Sequence, residues 1–160
     1  YAIITQEICK QIDPGKKMLQ KLMYLMERKG VDLRLNYSIH FYGPYSSKLD
    51  TAMHMLEGQD MIEIDTSQMT HVIHTGKNII EGSLPSEEKE KVEFILSNFA
   101  MKTALELEAI TTLDYAASSL LNGKFTEQDV IEKVREIKGG KFSKEYLQSE
   151  FKVLEEYKFV

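Results

Sequence analysis

Tryptophan is absent from this 160-residue chain, and cysteine, proline and glycine are sparse at one, three and nine residues. A single thiol excludes an intramolecular disulfide framework and fits a reducing cytoplasm. No apolar run approaches the roughly 20 residues that span a bilayer, so the sequence holds no candidate transmembrane helix. Basic residues are outnumbered, with 20 Lys and Arg against 25 Asp and Glu, a net charge of −5. That balance, with a pI near 5.4, argues against a whole-protein affinity for nucleic acid. The chain begins at Tyr1 rather than Met and shows no Arg-rich or signal-like leader. What is present is ordinary for a folded protein: 42% hydrophobic and 28% charged residues, enough for one domain or a domain with a small second lobe.

Residues 76–86 carry two glycines and a proline and predict a connection between a lobe at 1–82 and a lobe at 83–160, packed as one unit. In the first lobe Ile4, Ile8 and Ile12 recur every fourth position, the stripe of a short helix. Asp13-Pro14-Gly15 breaks it, because proline cannot continue a helix. Met18, Leu19, Leu22, Met23, Leu25 and Met26 predict a second helix ending at Gly30. Leu35, Tyr37, Ile39 and Phe41 then alternate with polar residues and Tyr42, the period of a half-buried strand stopped by Gly43-Pro44. A helix starting at Ser46 or Ser47 buries Leu49, Ala52, Met53 and Leu56, and strands at 61–65 and 70–75 flank a hairpin turn.

The second lobe reads as four helices. Ser86, Thr126 and Ser143 are N-cap candidates, and 103–121 is the most apolar and most central, with Leu105 among its inward residues. The expected fold is therefore α+β, mainly α: a winged-helix-like N-terminal lobe with a small three-stranded antiparallel sheet, followed by a helical lobe.

No constellation carries catalytic, metal or cofactor chemistry. His71 and His74, three apart on a strand, point to opposite faces, and His40 and His54 have no spacing partner. Cys9 lies beside the isoleucine stripe and reads as a small buried hydrophobe. Gly139-Gly140-Lys141 lacks the spacing of a phosphate-binding loop, and Gly43-Pro44-Tyr45-Ser46 is no nucleophile elbow. Glu106, Glu108 and Asp114 read as solvated or capped carboxylates.

Charge tests the winged-helix outline. Residues 46–75, which would supply a reading helix and wing, hold Lys48 against Asp50, Glu57, Asp60, Glu63 and Asp65, a net of −4 that phosphates repel. Residues 10–34 are basic, with Lys10, Lys16, Lys17, Lys21, Arg28, Lys29 and Arg34 against three acids, and read as a solvated helix face. The most specific local feature is aromatic. Tyr37, Phe41, Tyr42 and Tyr45 surround Gly43-Pro44; Tyr37 and Phe41 share the inward strand face, Tyr42 lies opposite, and Tyr45 sits in the turn. Proline biases Gly43 toward an extended backbone and aims the chain into the next helix.

Gln20-Lys21-Leu22-Met23-Tyr24-Leu25, followed by Phe41-Tyr42-Gly43-Pro44-Tyr45-Ser46 and Leu49, resembles the YwgA-like group of bacterial proteins. It is similar, more distantly, to the Panacea antitoxin and SocA-like adaptor domain, although the tryptophan often found before the Tyr-Gly-Pro turn is missing and Phe41 stands there. The resemblance covers about residues 17–56 and implies a cytoplasmic, non-enzymatic module that binds another protein, either a toxin or a protease substrate. The expected function is thus antitoxin- or adaptor-like protein binding, with no cofactor and no membrane association. A winged-helix DNA-binding regulator is the alternative, and a small-molecule enzyme comes third. Tyr42, Gly43, Pro44, Tyr45 and Lys48 are the expected partner-binding residues, on the ground that exposed tyrosines beside a helix start suit an interface.

Overall fold

In a computed structural model describing residues 1–78 and 81–160, the backbone is mainly helical with two small antiparallel hairpins. The predicted connection at 76–86 therefore falls partly outside the described residues. The class is α+β, mainly α, as the periodicities imply. The residues group into two compact units that differ from the expected division at 82/83.

The first unit holds residues 1–37 and 46–102. Its helices are α1 (Ala2–Gln11), α2 (Lys16–Arg28), α3 (Ser47–Gly58) and α4 (Ser86–Phe99), and its strands are β3 (Ile62–Asp65) and β4 (Val72–Thr75). The boundary moves past α4 because that helix turns Val92, Ile95, Leu96 and Phe99 inward and packs beside α2. Every residue of α2 from Leu19 to Met26 is buried, which makes it the central helix of this unit. Each large aliphatic side chain it buries contributes roughly 1.5–3 kcal/mol. The helix ends at Gly30, whose φ of 102° is left-handed; Gly30 N–H donates to the Glu27 carbonyl and Val31 N–H to that of Met26, closing the last turn. Strands β3 and β4 pair with Ile64 opposite Ile73, and Pro14–Gly15 adds to the outer edge of β4 through Ile73 N–H to Pro14 O and Lys16 N–H to His71 O.

The second unit holds residues 38–45 and 103–160. A short hairpin, β1 (Ser38–His40) with β2 (Gly43–Tyr45), packs with α5 (Ala104–Tyr115). A π-helical turn (Ala116–Leu120), α6 (Glu127–Lys138) and α7 (Lys144–Glu156) complete it. Thr103 and Thr126 each form a reciprocal capping box, with Glu106 and Asp129, and Ser143 caps α7. Leu105, expected inward, is 54% exposed because it falls in the first turn of α5, outside the buried run that begins at Leu107.

Three local expectations are corrected. The predicted three-stranded sheet is two separate two-stranded sheets. The strand expected over 35–42 forms only at Ser38–His40; upstream, residues 31–36 alternate buried and exposed without strand pairing. There Arg34 and Asn36 take positive φ, and Leu35 N–H donates to the Glu27 carboxylate rather than to another strand. Alternation reports which side chains face inward, and it leaves the backbone's partner open. Finally, Gly43-Pro44 does not stop the strand but opens β2, and Gly43 has φ 99° rather than an extended value.

Candidate functional site

The hairpin turn has a simple cause. His40 pairs with Gly43, so Phe41 and Tyr42 form its tip; both keep negative φ while Gly43 takes the left-handed value. A left-handed φ directly after the turn favours a residue without a Cβ, which accounts for Gly43. Gly43 and Pro44 are buried, and the Tyr45 ring is half-buried with its centroid 4.7 Å from that of His40.

At the tip one of the two expected faces is overturned: Tyr42 lies outward as expected, and Phe41 does too. Phe41, predicted to be core, is 77% exposed, and Tyr42 is 44% exposed. A strand assignment extended through residue 41 places Phe41 inward, but the chain has already entered the turn. The two rings meet edge to face with centroids 4.9 Å apart.

Two lysines fix this tip from behind. Lys138, the last residue of α6, donates from Nζ to the carbonyl of Phe41, with the His40 carbonyl at 3.4 Å. Lys141, just past Gly139-Gly140, lies 5.6 Å from the Phe41 ring centroid, 5.3 Å from that of Tyr42 and 5.9 Å from that of Phe142. Between them stands Glu108 of α5, whose carboxylate is 2.8 Å from Lys141 Nζ and 3.9 Å from Lys138 Nζ. The Glu108 and Lys138 side chains are almost wholly enclosed, at 5% and 4% exposure. Burial pushes the Lys138 ammonium below the ordinary lysine value; Glu108 opposes that shift and Lys141 adds to it.

Glu108 is thus a buried ion-pair residue, not the solvated carboxylate expected from its type, and Asp114 is fully buried too. Glu106 matches its expectation, since it completes the α5 capping box. Sequence reasoning missed the lysine clamp. Its one available signal was a glutamate inside the most apolar helix, which demands a cation of opposite sign.

The remaining candidates fall elsewhere. Lys48, grouped with the tyrosines from the sequence, belongs to the first unit, where Nζ donates to the Arg34 carbonyl at 2.9 Å. Lys21 lies in the core at 3% exposure, so the basic stretch 10–34 is not one solvated face. Lys10 pairs with Glu7, Lys16 with Asp50, and Arg34 with Asp32. His74 lies 3.2 Å from Asp13, and among the described residues no three His, Cys, Asp or Glu side chains are grouped to hold a metal ion. Burial, then Asp13, pushes the Cys9 thiol up to about 11, away from the reactive thiolate. None of the described helices is long and apolar enough to cross a membrane.

No family model matches the chain, and no curated protein is found that is similar to it.

Proposed function

We propose that this chain is a cytoplasmic protein-binding module of the antitoxin or adaptor kind, which grips another protein through the Phe41–Tyr42 tip and performs no chemistry of its own. The observation that carries this reading is an aromatic pair held out to solvent on a turn whose backbone carbonyl is bonded by a buried lysine. An exposed phenylalanine forgoes the free energy of burial, and a rigid turn removes the entropy of ordering it on contact. Large aromatics on a preorganised support are the side chains that dominate interface energetics. The resemblance of residues 17–56 to the Panacea and SocA-like domains points the same way, toward a toxin or a protease substrate as partner.

The test places a photo-crosslinking benzoylphenylalanine at position 41 in the producing cell. A discrete protein adduct is expected, reduced at least severalfold by Tyr42→Ala. Absence of any protein adduct at this position overturns the reading.

A further inference from the structure

We infer that Asn122-Gly123 is a site of spontaneous deamidation restrained by the backbone turn it occupies: local opening permits the modification, and the product keeps the turn from reclosing. Of the four asparagines, only Asn122 precedes a glycine. Asn36, Asn78 and Asn98 precede Tyr37, Ile79 and Phe99, bulky residues that hinder attack by their own amide nitrogens. In the reaction the Gly123 nitrogen attacks Cγ of Asn122. A bond forms between them, the Cγ–Nδ2 bond breaks, and ammonia departs with the hydrogen that the Gly123 nitrogen gives up. Water then opens the cyclic imide at either carbonyl and leaves aspartate or isoaspartate. Water is the sole co-reactant. Both residues are exposed, and a Cβ at Gly123 would meet nothing within 4 Å, so no neighbour obstructs the ring.

The backbone opposes what the exposure allows. After the π-helical turn Ala116–Leu120, Leu121 N–H donates to the Ala116 carbonyl and Gly123 N–H to the Ala117 carbonyl, both at 2.9 Å. The hydrogen on the attacking nitrogen is therefore engaged in the bond that closes the turn. Asn122 and Gly123 hold left-handed φ values of 52° and 76°, the conformation in which these two residue types end a helix. Ring closure constrains rotation about the Asn122 Cα–C bond, so the chain must give up this conformation as well as the hydrogen bond. The reaction thus passes through an opened turn, and its rate follows how often residues 116–123 open. Neither product restores the starting state. Aspartate sets a negative charge beside the last carbonyls of the helix, where the dipole disfavours it. Isoaspartate, the stronger perturbation, lengthens the main chain just before Gly123 and misplaces its N–H.

The inference is tested by ageing the full chain in mildly alkaline buffer and following aspartate and isoaspartate at each asparagine by peptide mapping. The same series is run without denaturant, in guanidinium chloride below the unfolding transition, and in fully denaturing guanidinium chloride. Position 122 should be modified first in every condition. Its rate in the folded chain should be lower than in the denatured chain by about tenfold or more, and should rise with denaturant before global unfolding begins. Amide exchange at Gly123 should be severalfold faster in the modified chain than in the fresh one. Asn122→Gln keeps a side-chain amide but cyclises far more slowly, so it should age without that acceleration. Equal rates in folded and denatured chains, modification led by another asparagine, or no modification in full denaturant overturns the inference. So does exchange at Gly123 that is unchanged after modification, or that accelerates equally in aged Asn122→Gln.

Discussion

Gln20 and Ser46, twenty-six residues apart in sequence, exchange two hydrogen bonds: Gln20 Nε2 donates to the Ser46 carbonyl and Ser46 N–H donates to Gln20 Oε1, both at 2.9 Å. The Ser46 hydroxyl donates to the Leu35 carbonyl at 2.5 Å and accepts from Leu49 N–H, which caps α3. Every polar group of a fully buried serine is thereby satisfied. Gln20 does for the chain at residue 46 what a neighbouring strand would do.

Gln20→Leu should accordingly destabilise the protein by about 2–5 kcal/mol, since it leaves a buried amide N–H and carbonyl with fewer partners at similar volume. Urea denaturation measures it. Gln20→Glu keeps the acceptor for Ser46 N–H but loses the donor, so it should also destabilise; a variant as stable as the parent argues against the exchange.

Glu108→Ala strips the carboxylate from two lysines, one of them enclosed. Breaking such a pair from one side costs about 3–5 kcal/mol, because the remaining charge stays buried. Amide exchange at residues 40–43 should accelerate in this variant as the Lys138 contact to the Phe41 carbonyl loosens. Unchanged exchange there, together with an unchanged melting temperature, would show that the clamp does not hold the tip.

The two tip aromatics and Tyr45 should separate by their consequences. Tyr45→Ala removes a half-buried ring that lies against His40 and should lower the melting temperature by several degrees. Phe41→Ala, on a residue 77% exposed, should leave it almost unchanged. Equal melting shifts for both would contradict the placement of Phe41 in solvent.

Alkaline pH should destabilise the fold from about pH 9 upward, beginning with Cys9, whose thiol shifts from 9.0 to about 11. Burial, then Glu150 and Glu106, pushes the Tyr146 phenol up to about 12, and burial with Glu27 and Tyr1 raises the Tyr37 phenol well above its ordinary value. Each holds its proton more tightly folded than unfolded. Their stabilising contribution is complete below the ordinary value and is lost as pH rises through the folded one. Lys138, lowered on folding, has the opposite sign: its cost is greatest at neutral pH and relaxes toward the ordinary lysine value. Urea midpoints measured from pH 8 to pH 11 should fall, and Cys9→Ala should remove the earliest part of that fall.

DNA binding should be weak or absent at physiological salt. Asp50, Glu57, Asp60, Glu63 and Asp65 lie on or beside α3 and β3, where a reading helix and wing would face the duplex. Sub-micromolar affinity for any duplex with a steep salt slope would falsify this.

The helices were legible in the sequence because their signals are local. The isoleucine stripe, the Asp13-Pro14-Gly15 break, the Ser46, Thr126 and Ser143 caps and the left-handed Gly30 each act within one or two turns of chain. So did the β3–β4 hairpin, whose two apolar runs flank a short polar turn. The charge balance that argues against a DNA-reading face needed only composition.

What tertiary structure alone decided is the pairing of groups far apart in the chain. The alternation from Leu35 to Phe41 could not show that Leu35 N–H turns to a glutamate side chain, or that the turn begins before Phe41 and sends that ring outward. Glu108 meets Lys138 and Lys141 across thirty and thirty-three residues, and Gln20 meets Ser46 across twenty-six. Helix periodicity and caps are short-range, set by backbone geometry at each position, whereas burial of a charge or amide is tolerable only once a distant partner arrives. That condition is met by packing, and no spacing within the sequence encodes it.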